Sequence, residues 1–162
     1  MKEVNHYIEK ELKFLHQNLN CYLEYWPMNT EQVKNTTYSL LELACHLYTL
    51  PAAYCALFNG APEEDLVKLW GGPWNYQTVD DFREILNTGM TEILSLKFLS
   101  MSDEVLIPWP FGDPLCPQEH FINLITHIYH HRGQMHMLLK QAGAEIDTGT
   151  IYMISEGRWR TD

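Results

Sequence analysis

The stretch that decides the fold is residues 117–143, PQEHFINLITHIYHHRGQMHMLLKQAG. Pro117 is typical of a first helical turn and Gly143 of the position just beyond a helix end, and apolar residues recur between them at helical spacing. These signals predict one long helix. His127 and His131 stand four residues apart in it, so their side chains lie one turn apart on the same face. Two imidazoles in that arrangement can bind one metal ion.

Three further helices are predicted upstream of this one. Residues 2–24 form an amphipathic helix, because charged residues fill the gaps between regularly spaced apolar ones. Residues 38–58, YSLLELACHLYTLPAAYCALF, are apolar nearly all round and belong at the centre of the fold, with a kink or a division at Pro51. The third helix spans residues 79–99. Gly89 within it costs about 1 kcal/mol relative to alanine unless close packing needs a glycine.

Connectors rich in proline and glycine separate these helices. Residues 59–77 are predicted to be a connector without regular structure, and residues 105–117, VLIPWPFGDPLCP, an extended loop or short hairpin over the helices. Four aromatic side chains in the connectors either wall an apolar pocket above an ion or anchor the loops by burial: Trp70, Trp74, Trp109 and Phe111.

The sequence therefore predicts an all-α fold, a four-helix bundle with long connectors. The length of 162 residues fits a single domain over 1–162. Residues 143–162 form a C-terminal tail without strong periodicity, whose structure and role stay open.

Composition limits the partners and the compartment. The chain has 11 Lys and Arg against 21 Asp and Glu, a net charge of −10 that disfavours nucleic acids and anionic membranes. The first residues, MKEVNHYIEKELKF, are charged where a secretory signal needs an apolar run, and we expect no stretch of the roughly 20 apolar residues that span a bilayer. The four scattered cysteines lack a CxxC pair and favour reduced thiols. We expect a soluble, cytoplasmic protein.

His46 is the candidate for a third metal ligand. Two imidazoles leave a divalent ion undercoordinated, and His46 is embedded among apolar residues, where a buried imidazole needs a partner. A satisfied core histidine is the alternative. Glu42, one turn earlier, either orients His46 as a hydrogen-bonded carboxylate or is a solvated surface residue. His120 shares the face of His127 but lies about 10 Å away along the helix, at the mouth of a pocket rather than on the ion.

Other metal sites fit the pattern less well. The zincin motif HExxH has the same spacing, but Ile128 stands where its glutamate base belongs. A di-iron carboxylate bundle needs two ExxH motifs, and only Glu3 with His6 has that spacing. A haem site explains the HxxxH pair poorly.

The string HIYHHRGQ, residues 127–134, resembles the HxxxHRGQ signature of the DinB/YfiT superfamily. The apolar helix with a central histidine, LLELACHLY, and the connector IPWPFGDP are similar as well. The resemblance implies an up-down-down-up four-helix bundle, usually a homodimer. It also implies that His46, His127 and His131 hold a divalent ion such as zinc or nickel.

The resemblance carries a function as well. Relatives often have another histidine where this chain has Asn123, and an asparagine where it has Thr126, so the chemistry around the ligands differs here. Characterised relatives are similar to S-transferases and isomerases that use low-molecular-weight thiols such as bacillithiol, mycothiol or glutathione. Because three imidazoles leave a coordination position open, the leading hypothesis is metal-dependent thiol transfer to a small-molecule substrate. The alternatives are a metal-dependent hydrolase of a small ester or amide, and a non-enzymatic metal-binding or stress-response protein.

Overall fold

The structure is a computed structural model that describes residues 2–27, 33–34, 37–95, 101–147 and 149. Within these residues it is mostly helical, with one two-stranded antiparallel hairpin. The helices are α1 (Lys2–Leu23), α2 (Leu40–Phe58), α3 (Glu63–Gly71), α4 (Val79–Ile93) and α5 (Pro117–Gln141), and the strands are β1 (Ile107–Trp109) and β2 (Gly112–Leu115). The hairpin corrects the all-α prediction and agrees with the hairpin expected within residues 105–117.

Helix α2 lies at the centre of the molecule, as its apolar sequence predicted. It packs against α3, α4 and α5, while α1 packs against α4 and α5. A capping box starts it: Ser39 Oγ accepts from the Glu42 N–H (3.1 Å), and the Glu42 carboxylate accepts from the Ser39 N–H (2.8 Å). The central position of α2 brings His46 into the core.

Helix α2 is also long and apolar enough to cross a membrane, with a mean hydropathy of 1.3, which the sequence-based expectation did not allow for. However, 78% of its most apolar window is buried inside the fold, as in the core helix of a soluble protein. One helix of this kind is weak support for a membrane span.

Of the kink or division expected at Pro51, the division does not occur. The helix runs without a break from Leu40 to Phe58 with Pro51 inside it. At this point α4 comes very close: a Cβ built at Gly89 would lie 2.7 Å from the Ala52 nitrogen and 3.0 Å from Pro51 Cβ. Close packing therefore explains the glycine in α4.

Helix α3 was not predicted, because it lies in the segment 59–77 that is rich in glycine and proline. Pro62 precedes it, and acidic residues fill its first turn, where their negative charges interact favourably with the positive end of the helix dipole. Leu66 and Trp70, four residues apart, are its buried side chains. The short helix packs these two residues against the core and fixes the end of the segment beside α2.

The ends of α4 and α5 agree with the sequence to different degrees. Helix α4 begins at Val79 as predicted but ends at Ile93, because the Ser95 N–H turns back to the Glu92 carbonyl (3.0 Å); residues 96–100 lie outside the described residues. Helix α5 ends at Gln141, and Gly143, whose φ is +88°, lies just beyond the helix end as predicted. Of the tail 143–162, residues 148 and 150–162 are also outside the described residues.

Candidate metal centre

Three histidines from two helices meet at one point, as predicted. His46 comes from α2, and His127 and His131 from α5; one ring nitrogen of each lies within 4.8 Å of the others. The Nε2 atoms of His46 and His127 are 3.1 Å apart. Two nitrogens that bind one ion at about 2.1 Å with tetrahedral geometry lie about 3.4 Å apart. The three side chains are therefore close enough to hold one divalent ion.

The C-terminal end of α3 orients His46. Its Nδ1 lies 2.7 Å from the backbone carbonyl oxygen of Trp70. Because a carbonyl oxygen can only accept a hydrogen bond, Nδ1 carries the ring proton and Nε2 keeps its lone pair. Carbonyls in the last turn of a helix have no partner within the helix and are free to accept in this way. A hydrogen bond on the second ring nitrogen is typical of metal-binding histidines.

Neighbouring groups reinforce this end of α3. The Leu69 carbonyl accepts from Trp74 Nε1 (3.1 Å) and from Thr49 Oγ1 (3.3 Å). The first bond ties the following loop to α3, and the second attaches α3 to α2. The negative end of the α3 dipole lies next to the ring and favours a cation there.

Gln134 orients His131 on the other helix. Its Oε1 accepts from His131 Nδ1 at 2.8 Å, which leaves the lone pair of His131 on Nε2. Neither Gln134 nor the Trp70 carbonyl was predicted as part of the site. Gln134 had a detectable signal, since it lies three residues after His131 on the same helical face. A backbone acceptor such as the Trp70 carbonyl has no signal in the sequence.

The environment keeps the three imidazoles neutral. Burial, together with the smaller effect of the neighbouring imidazoles, lowers the pKa of His127 and His131 to about 4; for His131 this includes the opposing effect of its hydrogen bond to Gln134. Burial also lowers the pKa of His46, against the opposing effect of its hydrogen bond to the Trp70 carbonyl. A ligand to a divalent ion must be unprotonated, and near pH 7 all three side chains meet that condition.

These pKa shifts predict an acid-sensitive metal-free protein. A histidine in the unfolded chain has a pKa of about 6.5, whereas that of His127 and His131 is about 4 in the fold. The unfolded state therefore binds more protons in this interval, and the free energy of unfolding falls as the pH drops from about 6.5 to about 4. Above pH 6.5 this loss is absent. We expect the melting temperature of chelator-treated protein to fall over this window, and to fall less in His127→Ala; equal pH dependences would contradict the shifts.

Two aromatic rings border the histidines. Tyr38 lies parallel to His46, with ring centroids 6.5 Å apart, and edge-on to His131 at 6.2 Å. The ring of Trp74 lies 6.0 Å from that of His46. Pro73, Trp74 and Tyr76 also border two clefts of about 310 and 380 Å³, and the first of these reaches Glu42 and Cys45. Trp74 thus both anchors its loop and forms a wall of the site.

The other three aromatic residues form a cluster at the hairpin, in which Trp70 is buried and Phe111 remains 62% exposed. Trp70, Trp109 and Phe111 pack edge to face, with ring centroids 5.3 to 5.5 Å apart. Tyr54 of α2 lies beneath Trp70 and Trp109. Of the four aromatic residues expected either to wall a pocket or to anchor loops, only Trp74 makes a ring contact with the three histidines in the described part of the chain.

The remaining candidates lie away from the three histidines. The exposed Glu42 carboxylate accepts from the Ser39 N–H and hydroxyl, both at 2.8 Å, so it serves as a helix cap, and the Trp70 carbonyl orients His46 in its place. Asn123 is half-buried one turn before His127. The backbone carbonyl of Asn123 accepts a hydrogen bond from Thr126 Oγ1 (3.0 Å).

His120 is in the core and not at the mouth of a pocket. It is 0% exposed, donates from Nε2 to the Ile107 carbonyl (3.2 Å) and contacts the ring of Trp109. The helical spacing placed it correctly along α5, but the hairpin covers this end of the helix. The sequence pattern does not show where a connector packs.

No model of a known protein family matches this sequence, and no curated protein matches it either. The resemblance to the DinB/YfiT superfamily therefore rests on the HxxxHRGQ string and on the position of His46. What the geometry adds is the convergence of the three histidines, which is independent of that resemblance.

Proposed function

We propose that this chain is a metal-dependent enzyme of the DinB/YfiT type that transfers a low-molecular-weight thiol to a small electrophile. His46, His127 and His131 would hold the divalent ion, zinc or nickel. The observation that carries the proposal is the convergence of three ring nitrogens within 4.8 Å. The hydrogen bonds to the Trp70 carbonyl and to Gln134 present two of these rings through Nε2.

The composition of the cluster favours a catalytic over a structural ion. Structural zinc sites are closed by four protein ligands, whereas catalytic sites have three and leave a position for a substrate. Among the residues that the structure describes, the cluster consists of the three histidines. When bound there, the ion would act as a Lewis acid and lower the pKa of a thiol toward neutrality.

The thiol in this reaction would be a small molecule and not Cys45. Although Cys45 is next to His46 in sequence, its side chain is buried and donates to the Tyr76 carbonyl (3.4 Å). Burial raises the pKa of the Cys45 thiol to about 11, which keeps it protonated and unreactive. In the proposed reaction the sulfur of the small thiol bonds to a carbon of the electrophile, the leaving group departs from that carbon, and the thiol proton goes to solvent.

Hydrolysis of a small ester or amide has less support. It requires a general base near the attacked bond. Glu42 and His120 are the candidate residues that could act as a base, but Glu42 caps α2 and His120 is bonded to a backbone carbonyl in the core.

The proposal extends to the architecture and the location. In the described residues each of α1, α2, α4 and α5 packs against two of the others, which supports a four-helix bundle. The up-down-down-up order and the homodimer are what the family resemblance implies. We propose a cytoplasmic location, where low-molecular-weight thiols stay reduced.

The test is thiol conjugation by protein purified without a histidine tag and loaded with zinc or nickel. Bacillithiol, mycothiol and glutathione would each be offered with a chloroaromatic acceptor, and the thioether and released chloride measured. We expect metal-dependent conjugation with at least one thiol, lost in His127→Ala and retained in His6→Ala, which removes an exposed histidine. Absence of metal-dependent conjugation with all three thiols would remove the proposal.

A further inference from the structure

Gln134 connects His131 to a second histidine on the surface of α5. Its Oε1 accepts from His131 Nδ1 at 2.8 Å, and its Nε2 lies 3.2 Å from Nε2 of the exposed His130. The amide NH₂ group can only donate, so the nitrogen of His130 is the acceptor. The side chain therefore has a partner at both ends of its amide.

The two ends of the amide have different effects on the tautomer of His131. With Oε1 toward the ring, His131 carries its proton on Nδ1 and offers a lone pair on Nε2 to the metal centre. With the amide turned over, the NH₂ group would face Nδ1, and the ring proton would have to move to Nε2. In that arrangement His131 has no lone pair toward His46 and His127. The hydrogen bond to His130 opposes this rotation. In the observed orientation the NH₂ group of Gln134 donates to His130 Nε2, and turning the amide over would break that bond.

We propose that Gln134 is a positioning residue that fixes the tautomer and ring plane of His131, and that His130 holds the Gln134 amide in the orientation required. This inference rests on the proposed metal site and adds a residue to it. His46 receives the same support from the Trp70 backbone carbonyl. In the described part of the chain, the acceptor for His131 Nδ1 is the side chain of Gln134, whereas the acceptor for His46 is a backbone carbonyl. A substitution can therefore remove the support of His131 but not that of His46.

The test compares three substitutions on α5. Gln134→Met keeps the length and helix propensity but has no strong acceptor, Gln134→Glu restores an acceptor for His131 Nδ1–H, and Gln141→Met changes an exposed glutamine at the helix end. We expect Gln134→Met to bind zinc about 10 to 100 times more weakly, as for other outer partners of metal-binding histidines. Gln134→Glu should bind at least as tightly as the wild type, and Gln141→Met equally.

A spectroscopic readout separates positioning from general destabilisation. In ¹⁵N NMR spectra of the metal-free protein, His131 should be the Nδ1–H tautomer in the wild type and in Gln134→Glu, and should shift toward Nε2–H in Gln134→Met. Zinc affinity in Gln134→Met equal to that of the wild type, or Gln134→Glu as weak as Gln134→Met, would overturn the inference. If the wild type binds no divalent ion, the proposed function fails, and the tautomer of His131 still decides the role of Gln134.

Discussion

Replacing His127 with alanine is expected to abolish stoichiometric binding of a divalent ion. An outer partner of a ligand contributes about 10- to 100-fold to affinity, so loss of the ligand itself should cost at least about 100-fold. His127 suits the test because, in the part of the chain that the structure describes, its side chain contacts the neighbouring imidazoles, whereas His46 also holds the end of α3. Titration calorimetry with zinc on tag-free protein measures the effect.

The control for this variant is His6→Ala. His6 is an exposed residue of α1 and makes a ring contact with Tyr7. The His6→Ala variant also loses an imidazole side chain, but one that lies outside the three-histidine cluster. Its zinc affinity should therefore equal that of the wild type. Equal affinities for all three proteins would mean that zinc binds elsewhere. Far-ultraviolet circular dichroism of His127→Ala should match the wild type, because a half-buried side chain at the cluster is not part of the apolar core.

Gly89→Ala is expected to lower the free energy of unfolding by about 2 kcal/mol. Overpacking costs about 1 to 3 kcal/mol and more where backbone must move, while the better helix propensity of alanine returns up to about 1 kcal/mol. Here the added Cβ would meet the Ala52 nitrogen at 2.7 Å and Pro51 Cβ at 3.0 Å, so α2 and α4 would have to separate. Urea unfolding of the metal-free protein measures the change.

Gly133→Ala is the matched control, since Gly133 is also inside a helix. A Cβ at Gly133 would meet nothing within 4 Å, so this variant should be up to about 1 kcal/mol more stable than the wild type. The opposite signs of the two variants are the expected result. Equal stabilities of Gly89→Ala and Gly133→Ala would show that α4 does not approach α2 as closely as described.

The sequence predicted the parts of the site that depend on local periodicity. Helical spacing brought His127 and His131 to one face, and the apolar surroundings of His46 indicated its burial. Both signals are properties of single helices, and the structure confirms that the three residues meet. The start of α5 at Pro117 and the position of Gly143 just beyond its end were predicted from local signals of the same kind.

The backbone support of His46 could not be predicted in this way, unlike Gln134, whose spacing from His131 was a local signal. Helix α3 is short and lies among prolines and glycines, so its acidic first turn was the one local signal. The Trp70 carbonyl of α3 can accept the hydrogen bond from His46 only because of how α3 packs against α2, which no pattern within a single helix specifies. The burial of His120 beneath the hairpin has the same origin, because tertiary packing of a connector decides it.

The most direct test of the metal centre is X-ray absorption spectroscopy of the zinc-loaded protein, combined with metal analysis and with any histidine tag removed. We predict one zinc per chain, bound by three imidazole nitrogens at about 2.0 to 2.1 Å, with the remaining coordination filled by an exchangeable light-atom ligand. Substoichiometric zinc, fewer than three imidazoles, or a sulfur ligand at about 2.3 Å would contradict the assignment of His46, His127 and His131.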